Sequence, residues 1–432
     1  MSAELSQRPS TPGSGPLSPL SATDIDGAAK RIAGVVTPTP LQLSDRLSAT
    51  TGANVYLKRE DLQTVRSYKL RGAYNLLVQL SEEEIAAGVV CSSAGNHAQG
   101  FAYACRTLGI HGRVYVPAKT PKQKRDRIGY HGGEFIELIV GGSTYDLAAE
   151  AALADVARTG ATLVPPFDDP RTIAGQGTIA VELLGQLDDE PDVVVVPVGG
   201  GGCIAGITTY LAERTTNTSV LGVEPAGAAA MMAALANGGP VTLDHVDQFV
   251  DGAAVSRAGT LTYAALAAAG DMVSITTVDE GAVCTAMLDL YQNEGIIAEP
   301  AGALAVAGVV EADIEPDSTV VCLVSGGNND VSRYREVLER SLVHLGLKHY
   351  FLIDFPQEPG VLRRFLDNVL GPTDDITLFE YVKRNNRETG EALVGIELGS
   401  AADLDGLLGR MRAIDIHVET LEPGSPAYRY LL

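Results

Sequence analysis

The run Val193-Val194-Val195-Val196-Pro197-Val198 constrains the fold more than any other stretch, because every residue is apolar and the run ends in four glycines, Gly199 to Gly202. A strand on a sheet with one wet face alternates apolar and polar residues. A strand that is apolar throughout is buried on both faces, as in a parallel sheet covered by helices. The pattern recurs between about residues 24 and 345. Gly88-Val89-Val90-Cys91, Arg113-Val114-Tyr115-Val116, Glu134-Phe135-Ile136, Val220 to Val223 and Val320 to Val324 are short β-rich runs separated by stretches of helical periodicity. Such alternation predicts an α/β fold of parallel sheets with helices on both faces. Ligands in such folds bind at loops beyond the carboxyl ends of the strands.

Several clusters fall at such loops. Cys91-Ser92-Ser93-Ala94-Gly95-Asn96-His97-Ala98-Gln99-Gly100 follows a strand and opens a helix. Its small residues leave amides exposed in a nest for a carboxylate or phosphate, and they equally suit a helix cap packed through glycine. His97 alone reads as a packed or exposed histidine before it reads as a base. Gly199 to Gly202 place main chain where it can closely approach an anion. Gly200-x-Gly202-x-x-Ala205 also satisfies the permissive dinucleotide fingerprint, with Glu224 on the next strand 24 residues after Gly200, so a nicotinamide-dependent dehydrogenase stays open. Val320 to Asn328 repeats the strand-to-glycine pattern, with Ser325 at the strand end, where its hydroxyl either faces a ligand or makes an ordinary turn.

Upstream, Lys69 lies in Ser67-Tyr68-Lys69-Leu70-Arg71-Gly72-Ala73, after the strand Val55-Tyr56-Leu57 and the charged cluster Lys58, Arg59, Glu60 and Asp61. Leu70, Tyr74, Leu77 and Leu80 recur at helical spacing, which puts Lys69 at a helix start. The positive potential there lowers the pKa of an amine, and a lysine so lowered is a nucleophile; the plain alternative is a solvated surface lysine.

The balance of 32 basic and 54 acidic residues gives a net charge of −22, which argues against nucleic acid and anionic lipid as partners. No apolar run is long enough for a membrane span, and the first residues lack the apolar core of a signal peptide, so the expected location is cytoplasmic. The five cysteines are odd in number and widely spaced, and the seven histidines form no close pair, which suits reduced thiols and no metal site. Residues 1–23, rich in Ser, Pro and Gly, read as a disordered tail. Near residue 346 the rhythm changes to strand 349–355, helix 359–370, strands 376–383 and 391–398, helix 403–412 and strand 414–420. This βαββαβ order is ferredoxin-like and suits a regulatory or a dimerisation module.

Lys69 in its SYKLRGA setting, the SSAGNHAQG stretch, the four-glycine loop and the SGGN strand end occur here in one order. Together they resemble the pyridoxal-phosphate enzymes of the tryptophan-synthase-β type, and among these the biosynthetic threonine dehydratases. The resemblance covers about residues 25–345, while 346–425 resemble that family's ACT-like domain. It implies a two-lobed fold-type-II catalytic domain over 24–345 and an ACT-like α+β regulatory domain over 346–432. Pyridoxal 5′-phosphate is the implied cofactor. Lys69 would be its Schiff-base lysine and the base at the substrate Cα, and Asn96 would bond the ring hydroxyl. Gly199, Gly200, Gly201, Gly202 and the Cys203 amide would hold the phosphate, and Ser325 would face the ring nitrogen. Ser93, Ala94, Gly95 and Asn96 would hold the carboxylate of L-threonine, which is converted to 2-oxobutanoate and ammonia at the start of isoleucine biosynthesis. The family often has leucine where Cys203 stands. Its relatives with two regulatory modules have longer tails; this chain has room for one. Isoleucine, with valine as a second candidate, is the implied effector, and a homotetramer the implied assembly. Serine/threonine dehydratases of catabolic type, serine racemase and threonine synthase share these motifs.

Overall fold

The computed structural model describes residues 20–382, 386–414, 416–422, 425, 428 and 431. In it the apolar runs build two sheets. The larger has six strands, in the order Leu41–Leu43, Asn54–Arg59, Thr319–Val324, Val193–Pro197, Ser219–Pro225 and Val273–Val278. The smaller orders four parallel strands as Ile136–Val140, Gly112–Val116, Val89–Ser92 and Thr162–Leu163. The reason for the unbroken valine run is now visible. Val195 packs into one core with Val320, Cys322 and Val324, while Val194 and Val196 pack into a second with Val321 and Leu323, so the strand pair is apolar on both faces.

Three details correct the sequence reading. Leu41–Leu43 runs antiparallel to Asn54–Arg59, because the intervening connection is shorter than a parallel crossover needs. Glu134 and Phe135 lie in a 3₁₀ turn, entered at Gly133 with φ 54°, and the strand begins only at Ile136. The helix Ala22–Ile32 is capped reciprocally by Ser21 and Asp24, so ordered chain starts before residue 24; residues 1–19 of the expected tail lie outside the described residues.

The C-terminal strands Lys348–Pro356, Asp375–Tyr381, Thr389–Glu397 and His417–Thr420 form one antiparallel sheet in the order Asp375–Tyr381, Thr389–Glu397, Lys348–Pro356, His417–Thr420. This is the ferredoxin-like arrangement that the element order implied. Phe351, Ile353 and Phe355 alternate onto one face, where Phe365 and Val369 of the helix Val361–Val369 and Leu407 and Met411 of the helix Leu404–Ala413 cover them. The last strand is shorter than expected, since Ile414 still closes the preceding helix; residue 383, the expected end of the second strand, lies outside the described residues.

Three helices that position the site meet through glycines. On the helix Pro170–Gln186, a Cβ at Gly175 would lie 2.6 Å from the Arg71 carbonyl oxygen of the helix Lys69–Leu77. On the helix Gly202–Arg214, a Cβ at Gly206 would lie 2.6 Å from the Gly177 nitrogen. All five cysteines are buried and unpaired. Among the described residues, no helix is long and apolar enough to cross a membrane, and no His/Cys/Asp/Glu group is arranged to hold a metal ion.

Candidate active site

Lys69 is the first residue of its helix. The helix Asn96–Leu108 can press against it because position 100 is glycine: a Cβ there would sit 2.9 Å from the Leu70 nitrogen. Lys69 is half-buried, and its Nζ donates to the Pro166 carbonyl oxygen at 3.1 Å. Among the described residues no carboxylate lies within ion-pair distance of it, and desolvation lowers its pKa to about 8.

The four-glycine loop packs against Phe167, next to the Pro166 carbonyl that Lys69 reaches. A Cβ at Gly200 would run into the Phe167 ring, and one at Gly202 would lie 2.9 Å from the Phe167 Cα. A Cβ at Gly199 would meet the Ala253 Cα at 2.9 Å, and Gly201 has φ +90°. The loop is therefore walled on its outer side and free of side chains. The helix Gly202–Arg214 starts there, and the amides of its first turn have no partner within the helix. Burial pushes the Cys203 thiol up to about 12, which keeps it neutral and leaves its backbone as the useful part.

Ser325 is brought beside Lys69 by its backbone, whose carbonyl accepts from the Tyr68 amide at 3.2 Å, while its hydroxyl donates to the Ala301 carbonyl at 3.2 Å. Asn96 is held from both ends. Its oxygen accepts from Asn328 Nδ2 at 2.8 Å, and its nitrogen donates to the Glu299 carboxylate. Asn328 Nδ2 is itself fixed to the Val65 carbonyl at 2.8 Å. Since a carboxamide nitrogen carries two hydrogens, one remains to face a ligand. Ser93, Ala94 and Gly95 are half-buried at the start of the Asn96 helix, and the Gly95 amide donates to the Ser93 hydroxyl at 3.2 Å. The structure thus gathers Lys69, Asn96, the glycine loop and Ser325 beyond the carboxyl ends of strands from both sheets.

Two groups escaped the sequence reading. Glu299 is 5% exposed, and desolvation, reinforced by the nearby Asp251 charge, raises its pKa to about 7. Its sequence signal, an acid before Pro300 at a helix start, looks like ordinary dipole compensation. Beneath Lys69, Arg71 is fully buried and reaches Glu60 with two bonds of 2.7 and 2.8 Å and Glu182 at 2.7 Å, while Lys58 meets Glu182 at 2.8 Å. The charged cluster read beside Lys69 is the buried floor of the site.

Two other candidates resolve against catalysis or dinucleotide binding. His97 is buried with Nε2 at 2.8 Å from the Val164 carbonyl oxygen, and desolvation lowers its pKa to about 4, so it stays neutral. Glu224 is buried and accepts from the Met231 and Met232 amides at 2.7 and 2.8 Å, with its pKa raised to about 7 by desolvation. It caps the helix Ala230–Asn237 and does not face a ribose, which removes the acid that the dinucleotide reading needs.

These residues suit pyridoxal phosphate. They offer an amine without a counter-ion and, nearby, a side-chain-free turn at a helix start. A testable consequence follows from the lysine. Only the unprotonated amine attacks a carbonyl, and its fraction rises from about one tenth at pH 7 to about nine tenths at pH 9. The rate at which cofactor-free protein regains its visible band should level off above about pH 9. A rate still rising severalfold between about pH 9 and pH 10 would indicate an ordinary lysine.

Comparison with known proteins agrees with this geometry. Residues 32–326 match the family of pyridoxal-phosphate dependent enzymes, and residues 339–431 match the C-terminal regulatory domain of threonine dehydratase. The chain is 90% identical over 432 residues, all of both chains, to the biosynthetic L-threonine dehydratase IlvA of Mycobacterium tuberculosis (strain H37Rv). It is 60% identical over 415 residues, 95% of each chain, to its counterpart in Corynebacterium glutamicum. The processed form of threonine deaminase isoform 2 from Solanum lycopersicum superposes with a TM-score of 0.69 at 37% identity, over 75% of this chain and 96% of that one. The chain belongs to the biosynthetic threonine dehydratases, pyridoxal-phosphate-dependent lyases that carry a C-terminal regulatory domain.

Proposed function

We propose that this protein converts L-threonine to 2-oxobutanoate and ammonia, that isoleucine bound to the C-terminal domain restrains it, and that it works in the cytoplasm as a homotetramer. The division falls near residue 345, between the helix Tyr334–His344 and the strand Lys348–Pro356. The observation that carries the reading is the Lys69 amine, crowded, unpaired with any carboxylate among the described residues, and beside the glycine turn.

When bound, pyridoxal phosphate supplies an electron sink for charge at the substrate Cα. The chain's own residues supply the rest. Lys69 Nζ, once free, takes the Cα proton, which its lowered pKa permits near neutral pH. The amides of Gly199 to Cys203 would hold the phosphate at the positive end of the helix Gly202–Arg214, and those of Ser93 to Asn96 the substrate carboxylate. Asn96, clamped by Asn328 and Glu299, presents its remaining N–H to the ring hydroxyl. Ser325, neutral and buried, would meet the ring nitrogen without the charge an aspartate would bring.

Assaying product from threonine and from serine tests the reading. Threonine should be turned over with the higher kcat/KM, and isoleucine should inhibit the full-length enzyme. Racemisation of serine, or a clear preference for serine elimination, would move the protein to a neighbouring activity. Indifference to isoleucine would remove the regulatory part alone.

A further inference from the structure

The turn Phe249–Ala253 touches three parts of the molecule. The amides of Ala253 and Ala254 donate to the Val250 carbonyl at 2.8 Å and close it. Toward the site, Ala253 abuts Gly199, and a Cβ at Gly252 would lie 2.7 Å from the Ala301 Cβ and 3.8 Å from Glu299 Oε1. The turn therefore packs on the glycine loop and lies close to the carboxyl that grips Asn96. Toward the lobe of the smaller sheet, Asp251 pairs at 2.5 Å with Lys124 of the helix Lys122–Gly132, an ion pair that spans the two lobes.

Toward the C-terminal domain, Phe249 is gripped by arginines. The Arg333 and Arg340 guanidinium carbons lie 4.6 and 4.3 Å from its ring centroid, and Arg333 Nη2 donates to the Phe249 carbonyl at 2.7 Å. Arg340 sits on the helix Tyr334–His344. The same helix carries Glu339, which takes Lys348 Nζ at 2.6 Å and the Tyr350 hydroxyl, both from the first strand of the C-terminal sheet. One helix thus holds the start of an inner strand of the C-terminal sheet through Glu339 and the turn through Arg340, while Arg333, just before the helix, anchors the turn's backbone.

We propose that the turn Phe249–Ala253 is the junction through which the C-terminal domain acts on the active site, with Arg333 and Arg340 passing a shift of their helix to the glycine loop, Glu299 and the Lys124–Asp251 pair. This rests on the reading of that domain as an isoleucine sensor. A buried ring held against two guanidinium groups cannot shift far without weakening those contacts, so helix and turn move together. Neither arginine touches a reacting group.

The test uses full-length holoenzyme with Arg333→Met and Arg340→Met together, which keep apolar cover over Phe249 and remove both charges. Phe249→Leu, apolar but without an aromatic face, is the second variant. Without isoleucine, kcat/KM should stay within about twofold of wild type, and calorimetry should show isoleucine still binding. Inhibition should fall from about tenfold or more in wild type to less than about twofold in both variants, and coupling measured from the isoleucine side should fall by the same factor. Variants that bind isoleucine and are inhibited like wild type overturn the junction while leaving the sensor intact. Variants that no longer bind isoleucine also overturn it, because the proposal leaves the sensor untouched. A wild type indifferent to isoleucine overturns the sensor reading and the junction with it.

Discussion

Lys69→Ala enzyme should fold, bind pyridoxal phosphate without a covalent bond and turn over threonine about 10⁴-fold more slowly than wild type. The loss is large because one nitrogen serves twice, as the anchor of the cofactor and as the base at the substrate Cα. Folding should survive, since the side chain donates to the Pro166 carbonyl and its truncation leaves no buried charge unpaired. Borohydride reduction followed by mass mapping checks it: the wild-type peptide holding Lys69 should carry the cofactor's mass, and the variant should carry none. An adduct on another lysine, or a variant with a tenth of wild-type activity, would be fatal to the assignment.

The second large effect concerns stability. Arg71→Ala should cost the catalytic domain about 3–5 kcal/mol, because removing one member of a buried ion network leaves uncompensated charge behind. Glu60 is fully buried and would lose both of its bonds to the guanidinium, and Glu182 would keep only Lys58 as a cation. Chemical denaturation of the holoenzyme measures the loss, and a change below about 1 kcal/mol would show that water or rearrangement compensates. Arg71 also fixes the orientation of the helix that Lys69 begins, so residual folded variant should bind the cofactor less tightly.

The catalytic fold was legible where the chemistry of each strand is uniform. The valine run before Gly199 and the Val320–Val324 run are apolar on every residue because they lie between two cores, and periodicity sees that directly. Leu41–Leu43 and Thr162–Leu163 were invisible, since two or three residues cannot display a period. The glycine loop and the Asn96 stretch announced themselves because small residues after a strand have few other uses. Glu299 did not, and Asn328 was legible only as the end of the Ser325 turn: their work is to hold Asn96, a contact across 203 and 232 residues of chain that no local pattern encodes. The burial of Arg71, Glu60 and Lys58 was hidden for a related reason. A cluster of charges reads as a wet surface until its partner, Glu182 on a distant helix, is seen to neutralise it.

The backbone-to-backbone seam of the catalytic helices decides where this protein can be altered. Gly129 and Gly185 lie in helices with open space where a Cβ would stand, so alanine at either position would displace nothing and gain about 1 kcal/mol of helix propensity. Gly100, Gly175 and Gly206 face main chain at less than 3 Å from that same point and have no such latitude. A blanket replacement of glycines for thermostability would wedge the lysine-bearing helix away from its neighbours. Tolerance to substitution should therefore be poorest at positions that perform no chemistry and merely let other helices come close enough to perform it.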